Sequence, residues 1–127
     1  MSYFNLDDLE VYQLAESFSD EIWFIVSEWE YFAKDTVGKQ IVRSADSISA
    51  NIAEGYGRFH YKENRNFCFF SRGSLIETKG WLRKSKIRKL ITEEQFNELI
   101  EKLQIIHLKL NAYLKFIGKS TNTKLDK

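Results

Sequence analysis

Ser44-Ala-Asp-Ser-Ile-Ser-Ala-Asn-Ile-Ala-Glu-Gly-Tyr-Gly57 reads as the second half of an amphipathic helix, with one feature that core filling leaves unexplained. Ile41, Ala45, Ile48 and Ile52 recur at spacings of four and three, the mark of an apolar helical face. Beside them runs a second row, Ser44, Ser47, Asn51 and Glu54, polar and small-sided. Serine and asparagine disfavour helix interiors because their side chains compete for backbone hydrogen bonds. Lys, Glu and Gln would cover a solvated face better. The row therefore predicts close packing against another helix, with hydrogen bonds across the contact. Gly55 and Gly57 are read as the stop, where a residue free to take positive φ closes the last turn.

Outward from this stretch, the chain predicts three more helices. There is no proline in 127 residues, which favours long unbroken helices. The first helix is expected to start near Asp7, capped by Asp7 and Glu10. Its core stripe is Val11, Ala15, Phe18, Ile22, Ile25 and Trp29. Trp23, Phe24 and Val26 widen the apolar sector, which fits a broad core face or, for Trp23 or Phe24, contact with a neighbouring subunit. A connection is expected around Ala33-Lys34-Asp35, with Asp35 capping a second helix that runs to about Glu54 and tolerates Gly38 near its start. Residues 55–60 form a turn. The third helix spans about Tyr61 to Lys86. Cys68, Ser71, Leu75, Thr78 and Leu82 make one stripe, and Phe67, Phe70, Ser74, Glu77 and Trp81 a neighbouring one, together mostly buried. Thr92 and Gln95 form a capping box that opens the fourth helix. Phe96, Leu99, Leu103, Ile106, Leu110, Tyr113 and Ile117 then repeat at three and four, and Gly118 ends the seam. The fold class is all-α, an antiparallel up-and-down four-helix bundle over 1–118, with a polar, disordered tail over 119–127.

Composition narrows the setting. Cys68 is the single cysteine, so no disulfide framework exists and a reducing cytoplasm is the expected location. No run of about 18 apolar residues occurs, so no membrane partner is expected. The start carries neither a basic region nor an apolar run, so no signal peptide is read there. Aromatic residues make up 15 %, enough to suggest that some apolar surface serves partner chains. The formal net charge of +1 hides segregation. Residues 1–34 hold eight acidic side chains and one basic, net −7, whereas residues 35–90 hold twelve basic and five acidic, net +7. Such asymmetry steers an anionic partner.

Catalytic chemistry finds no foothold. A bundle can house two metals between Glu-x-x-His motifs, but Gly57 and Gln104 stand three residues before His60 and His107. Cys68 falls on a core stripe without a second cysteine, so it reads as a structural thiol. His107 reads as a packed or surface histidine. Gly55-x-Gly57 follows a helix, so it is no phosphate loop. No enzyme, metal site or cofactor is expected. Two surfaces remain. Arg43, Ser47, Asn51, Glu54, Ser74 and Glu77 are read as a polar network between helices two and three, with Arg43, Arg58 and Arg72 as partners for the two acids. Arg58, Lys62, Arg65, Arg72, Lys79, Arg83 and Lys86, near Tyr56, Phe59 and Tyr61, are read as a candidate nucleic-acid face, cations meeting phosphates and rings stacking on bases.

Gln40, Arg43, Ser47, Asn51-Ile-Ala-Glu-Gly55 and Arg58, followed by Gly73-Ser74 and Glu77, give the chain a family likeness. Over about Leu6 to Ile117 it resembles the four-helix-bundle proteins encoded in 23S rRNA intervening sequences, a group that includes the accessory variability determinant of diversity-generating retroelements. The resemblance implies an up-and-down bundle assembled as a homopentamer. It also implies a charged surface that can bind RNA or DNA, and a reverse transcriptase or other protein as partner. It carries over no catalytic residue. The alternative is a self-assembly or protein-interaction scaffold that binds no nucleic acid.

Overall fold

The computed structural model describes residues 5–124, with side chains as far as Gly118. A short 3₁₀ turn, Leu6–Asp8, leads into α1, Glu10–Ser27. The cap differs from the Asp7–Glu10 pair expected. Asp8 accepts from the Asn5 backbone N–H at 3.4 Å, and Gln13 donates to the Asp7 carbonyl at 2.6 Å. The tight turn lets Leu6 and Leu9 pack on the core before the helix proper begins.

The chain breaks at Glu28–Glu30, not at Ala33–Asp35. Glu30 is extended, and a single turn, Tyr31–Ala33, flows through a π-helical stretch, Lys34–Gly38, into α2, Lys39–Tyr56. Asp35 does not cap. It lies inside the helical run and pairs with Lys39 at 3.0 Å. The Thr36 hydroxyl donates to the Phe32 carbonyl at 2.7 Å, drawing one acceptor from the helical ladder where the coil widens. Burial of Ala33 and Val37 holds this lead-in against the bundle.

A four-residue turn precedes α3, Tyr61–Ile87. Its end is a Schellman closure: Leu90 N–H reaches the Ser85 carbonyl at 2.8 Å and Lys89 N–H the Lys86 carbonyl at 3.0 Å. Lys89 takes the left-handed conformation there, with φ 62°. The capping box then appears as read. Thr92 N–H bonds Gln95 Oε1 at 2.9 Å, and Gln95 N–H bonds Thr92 Oγ1 at 3.0 Å. The last helix, α4, spans Glu93–Lys124. It passes through Gly118, where a stop was expected, because a lone glycine weakens a helix without breaking it. The tail expected over 119–127 lies, in its last three residues, outside the described residues.

Cross-helix pairs give the topology. Between α1 and α4, Glu10 meets Lys109 and Glu21 meets Lys102. Between α1 and α2, Glu16 meets Ser49, and Val26 lies against Gly38. Between α2 and α3, Ser44 meets Thr78 and Ile48 meets Ser71. Between α3 and α4, Asn64 meets Tyr113 and Lys86 lies over Phe96. In every pair one number rises as the other falls, so each helix is antiparallel to its neighbours in an up-and-down bundle. Phe18, Ile22, Ile41, Ile48, Ile52, Leu75, Leu82, Leu99, Leu103, Ile106, Leu110 and Ile117 fill the centre. Trp23 and Phe24, at 57 % and 67 % exposed, stand outside it.

Candidate nucleic-acid interface

The contact between α2 and α3 sets the platform. Its glue is the Thr78 hydroxyl, which donates to Ser44 Oγ at 2.8 Å, and the Ser71 hydroxyl, which donates to the Ile48 carbonyl at 2.7 Å. Ser44, Ser71 and Thr78 are all buried. Of the polar row expected to bond across the helices, only Ser44 does so. Asn51 donates to the Ser47 carbonyl at 2.8 Å, within its own helix. Glu54 takes Arg58 at 2.8 Å, and Glu77 takes the Trp81 indole N–H at 3.3 Å. Ser47, Asn51 and Ser74 are half-buried, while Arg43, Glu54 and Glu77 are exposed. These six residues line the outer rim of the α2–α3 groove rather than its interior. The physical reason is proximity. Gly55 against α3 and the short buried side chains of Ser44, Ser71 and Thr78 bring the two helices close, and the longer polar side chains turn outward. Phe70, expected in the buried second stripe, is 57 % exposed, with its ring edge-on to half-buried Phe67 at 5.5 Å.

The cations divide into two groups. Arg58 belongs to the groove rim, paired with Glu54 and placed over the Phe67 ring at 4.8 Å. Arg65, Arg72, Lys79 and Lys86 recur every seven residues along α3. Seven residues return a helix to nearly the same side, with about 20° of drift, so the four form one row about 10.5 Å apart. Lys62 and Arg83 flank that row and are exposed. Lys86 has an acidic neighbour, Glu93, at 3.8 Å, and lies over the Phe96 ring at 4.3 Å. Among the described residues no carboxylate pairs with Arg65, Arg72, Lys79 or Arg83. Of the turn aromatics, Phe59 is 90 % exposed and packs edge-on with His60, while Tyr56 and Tyr61 are half-buried.

Helix α4 contributes two groups that the sequence did not single out for this face. Asn111 Oδ1 accepts from Arg72 Nη1 at 2.8 Å, and the Arg72 guanidinium also sits 5.1 Å from the Phe69 ring centre. His107, half-buried, has its pKa lowered by burial first and then by Lys79 and Arg72. Nothing local marks these two residues in the sequence. They reach the row only because α3 and α4 pack antiparallel in this register.

Burial pushes the Cys68 thiol up to about 12, so it stays protonated and unreactive. The thiol donates to Asn64 Oδ1 at 3.8 Å, and the Asn64 amide also donates to the Tyr113 hydroxyl at 3.3 Å. Among the described residues no group of three or more His, Cys, Asp or Glu side chains is placed to hold a metal ion. No helix among them is long and apolar enough to cross a membrane.

Comparison with known proteins agrees with this architecture. A crystal structure from Bacteroides thetaiotaomicron VPI-5482, described as a protein of unknown function from the S23 ribosomal protein family, superposes with a TM-score of 0.74. It is 24 % identical, and the match covers 83 % of this chain and 98 % of that one, so it bears on the fold. No curated protein matches the chain. The family described as 23S rRNA-intervening sequence protein matches residues 7–112, across all four helices, and the chain belongs to that family.

Proposed function

We propose that this protein is a non-enzymatic accessory protein that binds RNA or DNA through the cationic row of α3, as a homo-oligomer in the cytoplasm. The observation that carries the reading is the set Arg65, Arg72, Lys79 and Arg83, four cations on one face with no carboxylate paired to them. An unneutralised row of this kind attracts a polyanion, releases its counterions and gains affinity from each phosphate met. Lys62 and Lys86 extend the row, and Phe59 offers a bare ring for a base. Arg58, held by Glu54, contributes less. A ring of five subunits, as the family likeness suggests, repeats the row five times and turns weak contacts into avidity. A reverse transcriptase or another nucleic-acid enzyme fits such an accessory as partner.

Fluorescence anisotropy with mixed-sequence single-stranded RNA tests it. Binding is expected at about 50 mM salt and is expected to weaken steeply towards about 200 mM. No binding at the lower salt, or binding indifferent to salt, overturns the phosphate mechanism. Sedimentation at micromolar concentration tests the assembly, and a monomer removes the avidity.

The second reading, a scaffold for self-assembly or a protein partner, draws on Trp23. Its exposed indole borders a cleft of about 300 Å³ that Val26, Gly38 and Val42 also line. Assembly that survives in a chain binding no RNA would favour it.

A further inference from the structure

We propose that Arg72, Lys79 and His107 form one phosphate-binding subsite across α3 and α4, and that His107 takes up a proton when a phosphodiester occupies it. The inference rests on the nucleic-acid reading above and sharpens it to one place on the row.

Arg72 is held by two contacts. Asn111 Oδ1 accepts one of its guanidinium hydrogens at 2.8 Å, and the Phe69 ring lies 5.1 Å from its central carbon. A guanidinium carries five N–H donors in a rigid fork, so most remain free to meet phosphate oxygens. Holding the fork in place removes part of the entropy lost on binding. Lys79 stands two helical turns further along the same row and adds a mobile ammonium. His107 stands one turn from Asn111 on α4, so the Arg72–Asn111 bond at 2.8 Å places it beside the row, where both cations act on it. The charged groups that face it come from α3 alone. One turn to either side on its own helix stand Leu103, Gln104, Leu110 and Asn111, all uncharged. Helix α1 reaches α4 on another side, through Lys102 and Lys109, whose charges Glu21 and Glu10 take up.

The electrostatics give the direction. Burial and two cations hold His107 below its ordinary value, which favours the neutral ring in the free protein. A phosphate between Arg72 and Lys79 screens those cations and offers an acceptor to an imidazolium. The His107 pKa therefore rises in the complex. By linkage, a group whose pKa rises on binding gives tighter binding as pH falls from its bound value towards its free value, by at most about tenfold per pH unit for one proton. Gln104 and Asn111, which do not titrate, leave His107 as the source of the slope at this place.

The test is anisotropy with labelled single-stranded RNA at fixed salt, from pH 8 to pH 6, on wild type, His107→Gln and His60→Gln. Wild type is expected to bind about three- to tenfold more tightly at pH 6. His60→Gln is expected to keep that slope and His107→Gln to lose it. Binding whose slope persists in His107→Gln overturns the subsite while the basic row stands. Binding by none of the three proteins at any pH overturns the row as well. Titration of the His107 ring by NMR gives a second readout. Its pKa is expected to rise when RNA is added, and an unmoved pKa overturns the proposal.

Discussion

A Cβ placed on Gly55 would stand 2.7 Å from Asn64 Oδ1 and 2.9 Å from the Asn64 carbonyl oxygen. Gly55 is buried, lies inside α2 and has no positive φ. The glycine is there to let the backbone of α2 approach α3, not to turn the chain. Asn64 in turn bonds Tyr113, so one close approach ties three helices.

Gly55→Ala is therefore expected to destabilise the protein by about 1–3 kcal/mol through overpacking, measured by urea unfolding. Gly73→Ala supplies the contrast. Nothing lies within 4 Å of a Cβ there, and alanine is expected to add about 0.5–1 kcal/mol through helix propensity. Equal effects at the two positions would refute the close-approach account.

Lys89 offers a stabilising change. It closes α3 in a left-handed conformation that penalises a side chain. Lys89→Gly is expected to raise stability by about 0.5–1 kcal/mol and to shift thermal unfolding upward.

The groove-rim acids are expected to matter little. Glu54 is more than half exposed and paired only with Arg58 in the turn that follows its helix, so Glu54→Ala is expected to change stability by less than about 1 kcal/mol. Thr78→Val is different, since it leaves the buried Ser44 hydroxyl without its cross-helix donor, and a loss of about 1–2 kcal/mol is expected. Calorimetry on both variants distinguishes rim from glue. A costly Glu54→Ala would restore the buried carboxylate network.

Asp46 carries a pH dependence. Burial, then Asp20 and Glu16, raise its pKa, against a smaller opposing hydrogen bond from Ser19. A carboxyl with a raised folded pKa is easier to protonate folded than unfolded. Its ionisation therefore lowers stability as pH rises through the interval above the model-peptide value of 3.8. Asp46→Asn is expected to melt higher than wild type at pH 7, by less than about 1 kcal/mol because the site is largely solvated, and to lose that advantage near pH 3. An advantage that is the same at both pH values would argue against charge crowding.

For the cationic row, Arg72→Gln with Lys79→Gln is expected to flatten the salt dependence of RNA binding. The slope of log affinity against log salt falls by about 1.4 if both meet phosphates of a single strand. An unchanged slope places the phosphates elsewhere.

Periodicity alone was enough to order four helices, to place Ile41, Ile48, Leu75, Leu99 and Leu110 in the centre, and to find the Thr92–Gln95 cap, because each of these depends on residues within a turn or two of one another. The basic composition of α3 was legible in the same way. Local pattern also misled: it put the first break at Ala33–Asp35, stopped α4 at Gly118, and read Glu54 and Glu77 as buried. The outward turn of Glu54 and Glu77 follows from how near α2 lies to α3, and the break at Glu28–Glu30 from which apolar residues the bundle could shelter. His107 and Asn111 joined the cationic row for a like reason. Spacing along one helix specifies which residues share its face; which residues of another helix meet that face depends on the register and separation of the two, and only the packed bundle holds that information.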